Sequence, residues 1–228
     1  MEEQRKRVEE FLSENYTGRF NISKKTNEEG KFEVSARGWV MANLKIKNLA
    51  TDDFVFTKVT RFSCICCDSL QTLEGAPKEL KEFNCNGCNS LRTLKGAPEK
   101  VEVFYCHGCD SLQTLEGAPK EVRKFDCYNC TSLQTLKGAP EKVEIFYCSF
   151  CDSLQTLEGA PKVVRKFYCN NCNSLQSLDG APNEAGVFNC SYCTSLQSLE
   201  GAPSVWEKFD CTGCNLFKNF AYAPAKAE

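Results

Sequence analysis

Histidine is nearly missing from this chain of 228 residues: there is one, His107, beside two methionines and two tryptophans. That scarcity narrows the enzymology, because most proton transfer near neutral pH uses an imidazole. No apolar run approaches the roughly 20 residues that cross a bilayer, so no membrane association is expected. Neither sign of charge is in excess, with 28 Lys and Arg against 30 Asp and Glu and a formal net charge of -2. Binding driven by phosphate neutralisation needs a basic face, so nucleic acid is not an expected partner. The N-terminus, MEEQRKRVEEFLSEN, carries charge where a secretory leader needs an apolar stretch. A cytoplasmic location is therefore expected.

Cysteine, by contrast, is plentiful, with 17 residues. A secreted chain would use them for disulfides, whereas a reducing compartment keeps thiols free. Their placement is periodic. Phe recurs at 62, 83, 104, 125, 146, 167, 188 and 209, always 21 residues apart. Counting from that Phe, positions 3 and 6 are Cys in every copy. In the first seven copies position 8 is Ser, positions 9 and 12 are Leu, and positions 14–16 read Gly-Ala-Pro. Position 19 is apolar, from Leu80 and Val101 through to Ala185 and Trp206. A unit this short cannot bury its own apolar residues and must stack on its neighbours. The segment from position 19 to position 3 alternates at period 2, which predicts a short strand with one face inward, paired in parallel between rungs. Gly at 14 and Pro at 16 predict a corner and an extended return side with no room for a full helix.

The pattern V-x-x-F-x-C-x-x-C-x-S-L-x-x-L resembles the leucine-rich repeat, with Val101, Phe104, Cys106, Cys109, Leu112 and Leu115 filling its slots in order. Pro98, three residues before Val101, gives it the look of the short repeats of bacterial effector and phage proteins. The resemblance covers about 59–224. It departs in one extra residue before the Leu that follows the second Cys, and no catalytic domain of the ubiquitin-ligase effectors accompanies it. It implies a mainly β repeat solenoid, that is, a leucine-rich-repeat-like parallel β-solenoid, and a general binding scaffold with no enzymatic activity.

The ends differ from the rungs. Residues 1–58 are expected to form an α+β N-terminal cap. Within it 2–15 reads as a helix with Val8, Phe11 and Leu12 on one face. Segments near 18–23, 31–37 and 39–47 read as strands, 27–30 as a turn, and 48–59 as a degenerate first rung. The solenoid is expected over 59–214. Residues 215–228 are expected to form a cap rung and tail, with Leu216, Phe217, Phe220 and Tyr222 in place of the repeat residues.

Charge alternates from rung to rung. Position 13 runs Glu74, Lys95, Glu116, Lys137, Glu158; position 17 runs Lys78, Glu99, Lys120, Glu141, Lys162; position 20 runs Lys81, Glu102, Arg123, Glu144, Arg165. In-register strands sit about 4.8 Å apart, so alternation replaces repulsion between like neighbours with attraction. It also defines a 42-residue, two-rung duplication unit.

The cysteines admit two readings. As core residues they are small, buried apolar side chains. As paired Cys-x-x-Cys units they match zinc or iron–sulfur ligands, with Cys106, Cys109, Cys127, Cys130, Cys148 and Cys151 as the central set, or a thiol-redox array. Sulfurs around one zinc lie roughly 3.8 Å apart, tighter than the rung spacing, and every rung repeats the pair. Packing is therefore the expectation, with no cofactor. Cys66, at an outward slot, is the expected exposed thiol.

Function then falls to the residues the repeat leaves free. Positions 20, 21, 2, 4 and 5 are read as outward slots of the strand face. They hold Tyr105, His107, Arg123, Tyr128, Tyr147, Phe150, Arg165, Tyr168 and Tyr192. Tyr and Arg on a rigid sheet favour a protein partner. The expectation is a monomeric protein-protein interaction scaffold of phage or bacterial type, directed at a host protein.

Overall fold

In a computed structural model of the chain, residues 1–36 and 38–215 are described. The expected residues 215–228 of a terminal cap, with Leu216, Phe217, Phe220 and Tyr222, lie outside them but for Asn215. An N-terminal helix, α1 (Glu2–Asn15), leads into β1 (Tyr16–Thr17), β2 (Phe20–Thr26), β3 (Phe32–Ala36), β4 (Trp39–Ala42) and β5 (Phe54–Phe56). The rung strands follow: β6 (Arg61–Ser63), β7 (Glu79–Asn84), β8 (Lys100–Tyr105), β9 (Glu121–Asp126), β10 (Lys142–Tyr147), β11 (Val163–Tyr168), β12 (Glu184–Asn189) and β13 (Ser204–Asp210). From β6 to β13 each strand pairs in parallel with the next, and each Phe of the repeat sits opposite the Phe 21 residues on. Among the described residues, no helix occupies the return side. The chain is a leucine-rich-repeat-like parallel β-solenoid with an N-terminal helical cap.

The core follows the repeat. The Phe rings form a continuous stack from Phe62 to Phe209, with centroids 5.2–5.7 Å apart and planes within 17° of parallel. The Leu residues of positions 9 and 12 and the cysteines of positions 3 and 6 pack around it, fully buried through most of the array. At about 1.5–3 kcal/mol for each fully buried Leu or Phe, this column dominates stability. Glycine at position 14 is demanded twice over. Its φ lies between 81° and 91° in every GAP corner, and a Cβ on Gly159 would stand 2.6 Å from the backbone N and Cα of Lys137 in the preceding rung.

The N-terminal end corrects one expectation. The first rung strand is β4, with Val40 opposite Phe62, and not the 48–59 segment. That segment supplies buried Leu49 to the return side, and Ala50 lies under Gly75. It then leaves the main sheet as β5, which joins β3 and β2 in a separate three-stranded sheet. Helix α1 buries Val8 and Leu12 as expected, with Phe11 packed at the margin. Arg7 clamps Asp53 through two hydrogen bonds, Nε to Oδ2 at 2.9 Å and an Nη to Oδ1 at 2.8 Å. β1 covers the free edge of β4 in antiparallel pairing, which removes an open template for strand addition. Tyr16 extends the aromatic column by packing edge-on against Phe62.

A second correction lies at β13. Trp206 was expected at the inward position 19. The register slips between Ala185 and Val187, so Val205 faces Ala185, while Trp206 is 45% exposed and its ring lies over Gly186.

Candidate functional site

Each rung strand ends at position 2, and positions 4 and 5 form the turn that follows. The expected strand face is thus two surfaces, a sheet face (positions 20, 21 and 2) and a turn edge (positions 4 and 5). This separation corrects the assignment of His107, Tyr128, Phe150 and Tyr192 to the strand itself. Position 5 has a left-handed backbone in every rung, from Cys66 at φ 54° to Gly213 at φ 73°. Gly or Asn fills it in Gly87, Gly108, Asn129, Asn171 and Gly213, as sterics favour. Phe150 (φ 60°) and Tyr192 (φ 57°) fill it against that preference.

On the sheet face the structure brings Tyr105, Tyr147 and Tyr168 into one stack. Lys124 lies between Tyr105 and Tyr147, its Nζ 4.8 Å and 4.9 Å from the two ring centroids. Tyr147 and Tyr168 stack directly, 4.9 Å apart and 6° from parallel. Lys124 also pairs with Asp126 at 3.7 Å. The sequence puts Lys124 on the outward face among these tyrosines, at position 21; that its ammonium bridges two rings is decided by the stack. Partial burial pushes the Tyr147 hydroxyl above its ordinary value, with Lys124 opposing. Arg123 and Arg165 flank the stack and are exposed.

Along the turn edge, His107 meets Tyr128 edge-on at 6.4 Å, and Tyr128 meets Phe150 at 5.1 Å. Tyr128 and Phe150 are 39% and 37% exposed. Tyr192 stands apart from this chain of rings, two rungs beyond Phe150, 53% exposed, with its ring over Gly213.

The charge ladders resolve unevenly. Lys78–Glu99 (3.0 Å), Lys120–Glu141 (2.9 Å) and Glu74–Lys95 (2.8 Å) pair at positions 17 and 13. Position 18, not singled out from sequence, pairs Glu79 with Lys100 at 2.7 Å and Glu121 with Lys142. The pairs at 17 and 18 recur every second rung, as a two-rung unit requires. The position-20 charges form no ion pair within 4.0 Å among the described residues, and all five are exposed.

All 17 cysteines are free thiols. Those of position 6 have a task that the reading as apolar filler missed. From Cys88 onward each donates its S–H to the position-3 carbonyl of the preceding rung, as in Cys109 to Cys85 (3.2 Å), Cys130 to Cys106 (3.1 Å) and Cys172 to Cys148 (3.1 Å), while Cys67 donates to the Asn43 carbonyl. A buried carbonyl needs a donor, and here a thiol supplies it. Burial pushes the thiols of Cys106, Cys127 and Cys148 far up, which opposes the thiolate that metals and disulfide exchange require. Among the described residues, no group of three or more His, Cys, Asp or Glu is arranged to hold a metal ion. This includes the set Cys106, Cys109, Cys127, Cys130, Cys148 and Cys151. Cys66 is the exposed thiol, as expected. No helix among the described residues is long and apolar enough to cross a membrane.

Among solved structures, the chain is similar to a leucine-rich repeat protein from Bacteroides ovatus, with 18% identity, coverage of 91% of this chain and 68% of that one, and a TM-score of 0.35. No protein-family model matches the chain, and no curated protein matches it. The fold assignment rests on the 21-residue geometry described above.

Proposed function

We propose that the chain is a non-enzymatic protein-interaction scaffold, of phage or bacterial type and acting on a host protein, that docks its partner on the sheet face and turn edge. The proposed contact residues are Tyr105, His107, Arg123, Tyr128, Tyr147, Phe150, Arg165, Tyr168 and Tyr192. The observation that carries this reading is the stack of Tyr105, Lys124, Tyr147 and Tyr168. Stacking fixes these side chains before binding, so little rotamer entropy is lost on association.

The same stack argues for a protein partner. Both faces of the Tyr147 ring are covered, by Lys124 on one side and Tyr168 on the other. Sugars and nucleobases bind aromatic faces, whereas this surface presents ring edges and hydroxyls suited to polar groups of a protein. Its charges alternate and produce no basic field for a phosphate backbone. Phe150 supports the reading independently, since a bulky residue kept at a left-handed position costs about 1–2 kcal/mol without serving the core.

The test is Tyr147→Ala combined with Tyr168→Ala, assayed by pull-down from the native host with mass spectrometry. Capture of the partner should be lost, while unfolding stability falls by no more than about 2 kcal/mol, the scale of a surface aromatic stack. Unaltered capture would overturn the proposed face.

A further inference from the structure

Among the described residues, the position-20 row is the alternating ladder in which no ion pair forms within 4.0 Å. Positions 13, 17 and 18 place opposite charges in contact between rungs. Lys81, Glu102, Arg123, Glu144 and Arg165 stand exposed on the sheet face without such contacts among the described residues. The row ends at Gly186, which is buried beneath the ring of Trp206.

An alternating row sums to almost no field, so it does not select a strongly charged partner. What fits it is a surface with the opposite alternation at the same spacing of about 4.8 Å. A second copy of this chain, turned end for end, has that surface. Face-to-face pairing also requires a sheet face of low curvature. Backbone hydrogen bonds stitch successive rungs on the strand side, as in Cys127 N to the Tyr147 carbonyl (2.9 Å). They also do so on the return side, as in Leu136 N to the Glu158 carbonyl (3.0 Å) and Gln134 N to the Gln113 carbonyl (3.0 Å). Hydrogen bonds on both sides limit how far the rung spacing can differ between them, which favours low curvature.

We propose that two copies of the chain pair face to face through this sheet face, about a two-fold axis running along the strands between β9 and β10. Strand β9 of one copy then lies over β10 of the other, and β8 over β11. Arg123 meets Glu144, and Glu102 meets Arg165, each contact occurring twice by symmetry. At position 2, Asp126 comes opposite the Tyr147 hydroxyl, and Tyr105 comes opposite Tyr168. A shift of the axis by one rung toward β11 sets Tyr147 opposite Tyr168 but leaves Arg123 facing Gly186, and a shift toward β8 leaves Tyr168 facing Ser63, so only this register joins two opposite-charge contacts to a contact between tyrosines. The proposal rests on the docking-face reading: the face that takes the host protein is covered by a second copy while that protein is absent. The footprint of a few short strands is small against a standard interface, so the dimer is weak, with a dissociation constant on the order of tens of micromolar.

The test is sedimentation equilibrium of the full chain with reductant present, so that Cys66 cross-links are not counted. Wild type should dimerise over about 10–300 µM, and added salt should weaken it. Arg123→Glu alone and Glu144→Arg alone each set like charges against each other across the axis, and each should weaken dimerisation about tenfold or more. Mixed in equal amounts, the two variants should dimerise again as a heterodimer, because Glu at 123 of one then faces Arg at 144 of the other. The strain each substitution causes within its own ladder persists in the mixture, so recovery cannot come from repaired folding. A monomeric wild type at about 300 µM, single variants that dimerise like wild type, or a mixture that stays monomeric would each overturn the dimer. Loss of the dimer with tyrosine-dependent capture retained removes this inference alone; tyrosine-independent capture removes the docking face beneath it.

Discussion

At the residue scale, position 5 sets local conformation against surface chemistry. Its left-handed backbone suits Gly87, Gly108 and Gly213, yet Phe150 occupies it at φ 60°. Side chains of this bulk lose about 1–2 kcal/mol there, and Phe150, at 37% exposure, regains only part of that by packing on Tyr128. Replacing Phe150 with Gly should therefore raise the unfolding free energy by about 0.5–1.5 kcal/mol and weaken partner capture. Both can be followed on one preparation, by urea denaturation and by pull-down. A loss of stability would show that Phe150 is held by packing and not against its preference. The sequence placed Phe150 and Tyr192 on the surface. It did not show the strain, because period-2 alternation says nothing about where a strand gives way to a turn.

At the element scale, a rung is closed by a thiol. The S–H of Cys172 reaches the carbonyl of Cys148 at 3.1 Å, while the Cys148 thiol donates to no partner among the described residues. Both residues are fully buried, so changing either to Ala removes the same atom from the core. Cys172→Ala also leaves a buried carbonyl without its donor. It should cost about 0.5–1.5 kcal/mol more than Cys148→Ala, and Cys172→Ser should recover part of the difference. Chemical denaturation of the three variants under reductant decides this, and equal costs for the two Ala variants would reduce position 6 to packing alone. The repeat identified both cysteines as inward. Which one is a donor depends on the offset between consecutive rungs, and that offset is a property of the stack.

Over the whole molecule, the buried position-3 thiols tie stability to pH, while hydrogen bonds from neighbouring thiols hold Cys88 and Cys214 of position 6 below the ordinary value and oppose them. Burial raises Cys85, Cys106, Cys127, Cys148 and Cys169 well above the ordinary thiol value, and Cys193 is pushed up to about 12. Unfolded thiols ionise near about 8.5. Above that pH the unfolded chain gives up protons that the folded chain keeps, so the unfolded state gains. The contribution is complete below about pH 8.5 and is lost as pH climbs toward the folded values, by up to about 1.4 kcal/mol per pH unit for each thiol. The urea midpoint under reductant should stay level between about pH 6 and 8 and drop steeply from about 8.5 to 10. A level profile across that range would mean that the thiols ionise as readily when folded.

Sequence alone determined the architecture of this protein. A 21-residue period with fixed Phe, Cys and Leu cannot bury itself except by stacking, so the parallel sheet, the aromatic column and the inward cysteines followed from periodicity and the need for burial. The helix at 2–15 followed from its apolar stripe. Tertiary structure decided whatever depends on the relation between rungs or on the breaking of the repeat. It put the first rung strand at Trp39–Ala42, where a poor match to the motif hid it. It turned Trp206 outward through a register slip that no period can announce. It inserted Lys124 between Tyr105 and Tyr147, and among the described residues it formed no ion pair at position 20 while pairing Lys78 with Glu99 and Lys120 with Glu141 at position 17. These features turn on distances of a few ångströms between side chains 21 or 42 residues apart. A one-dimensional pattern fixes which residues become neighbours, and only the packed solenoid fixes how closely they meet.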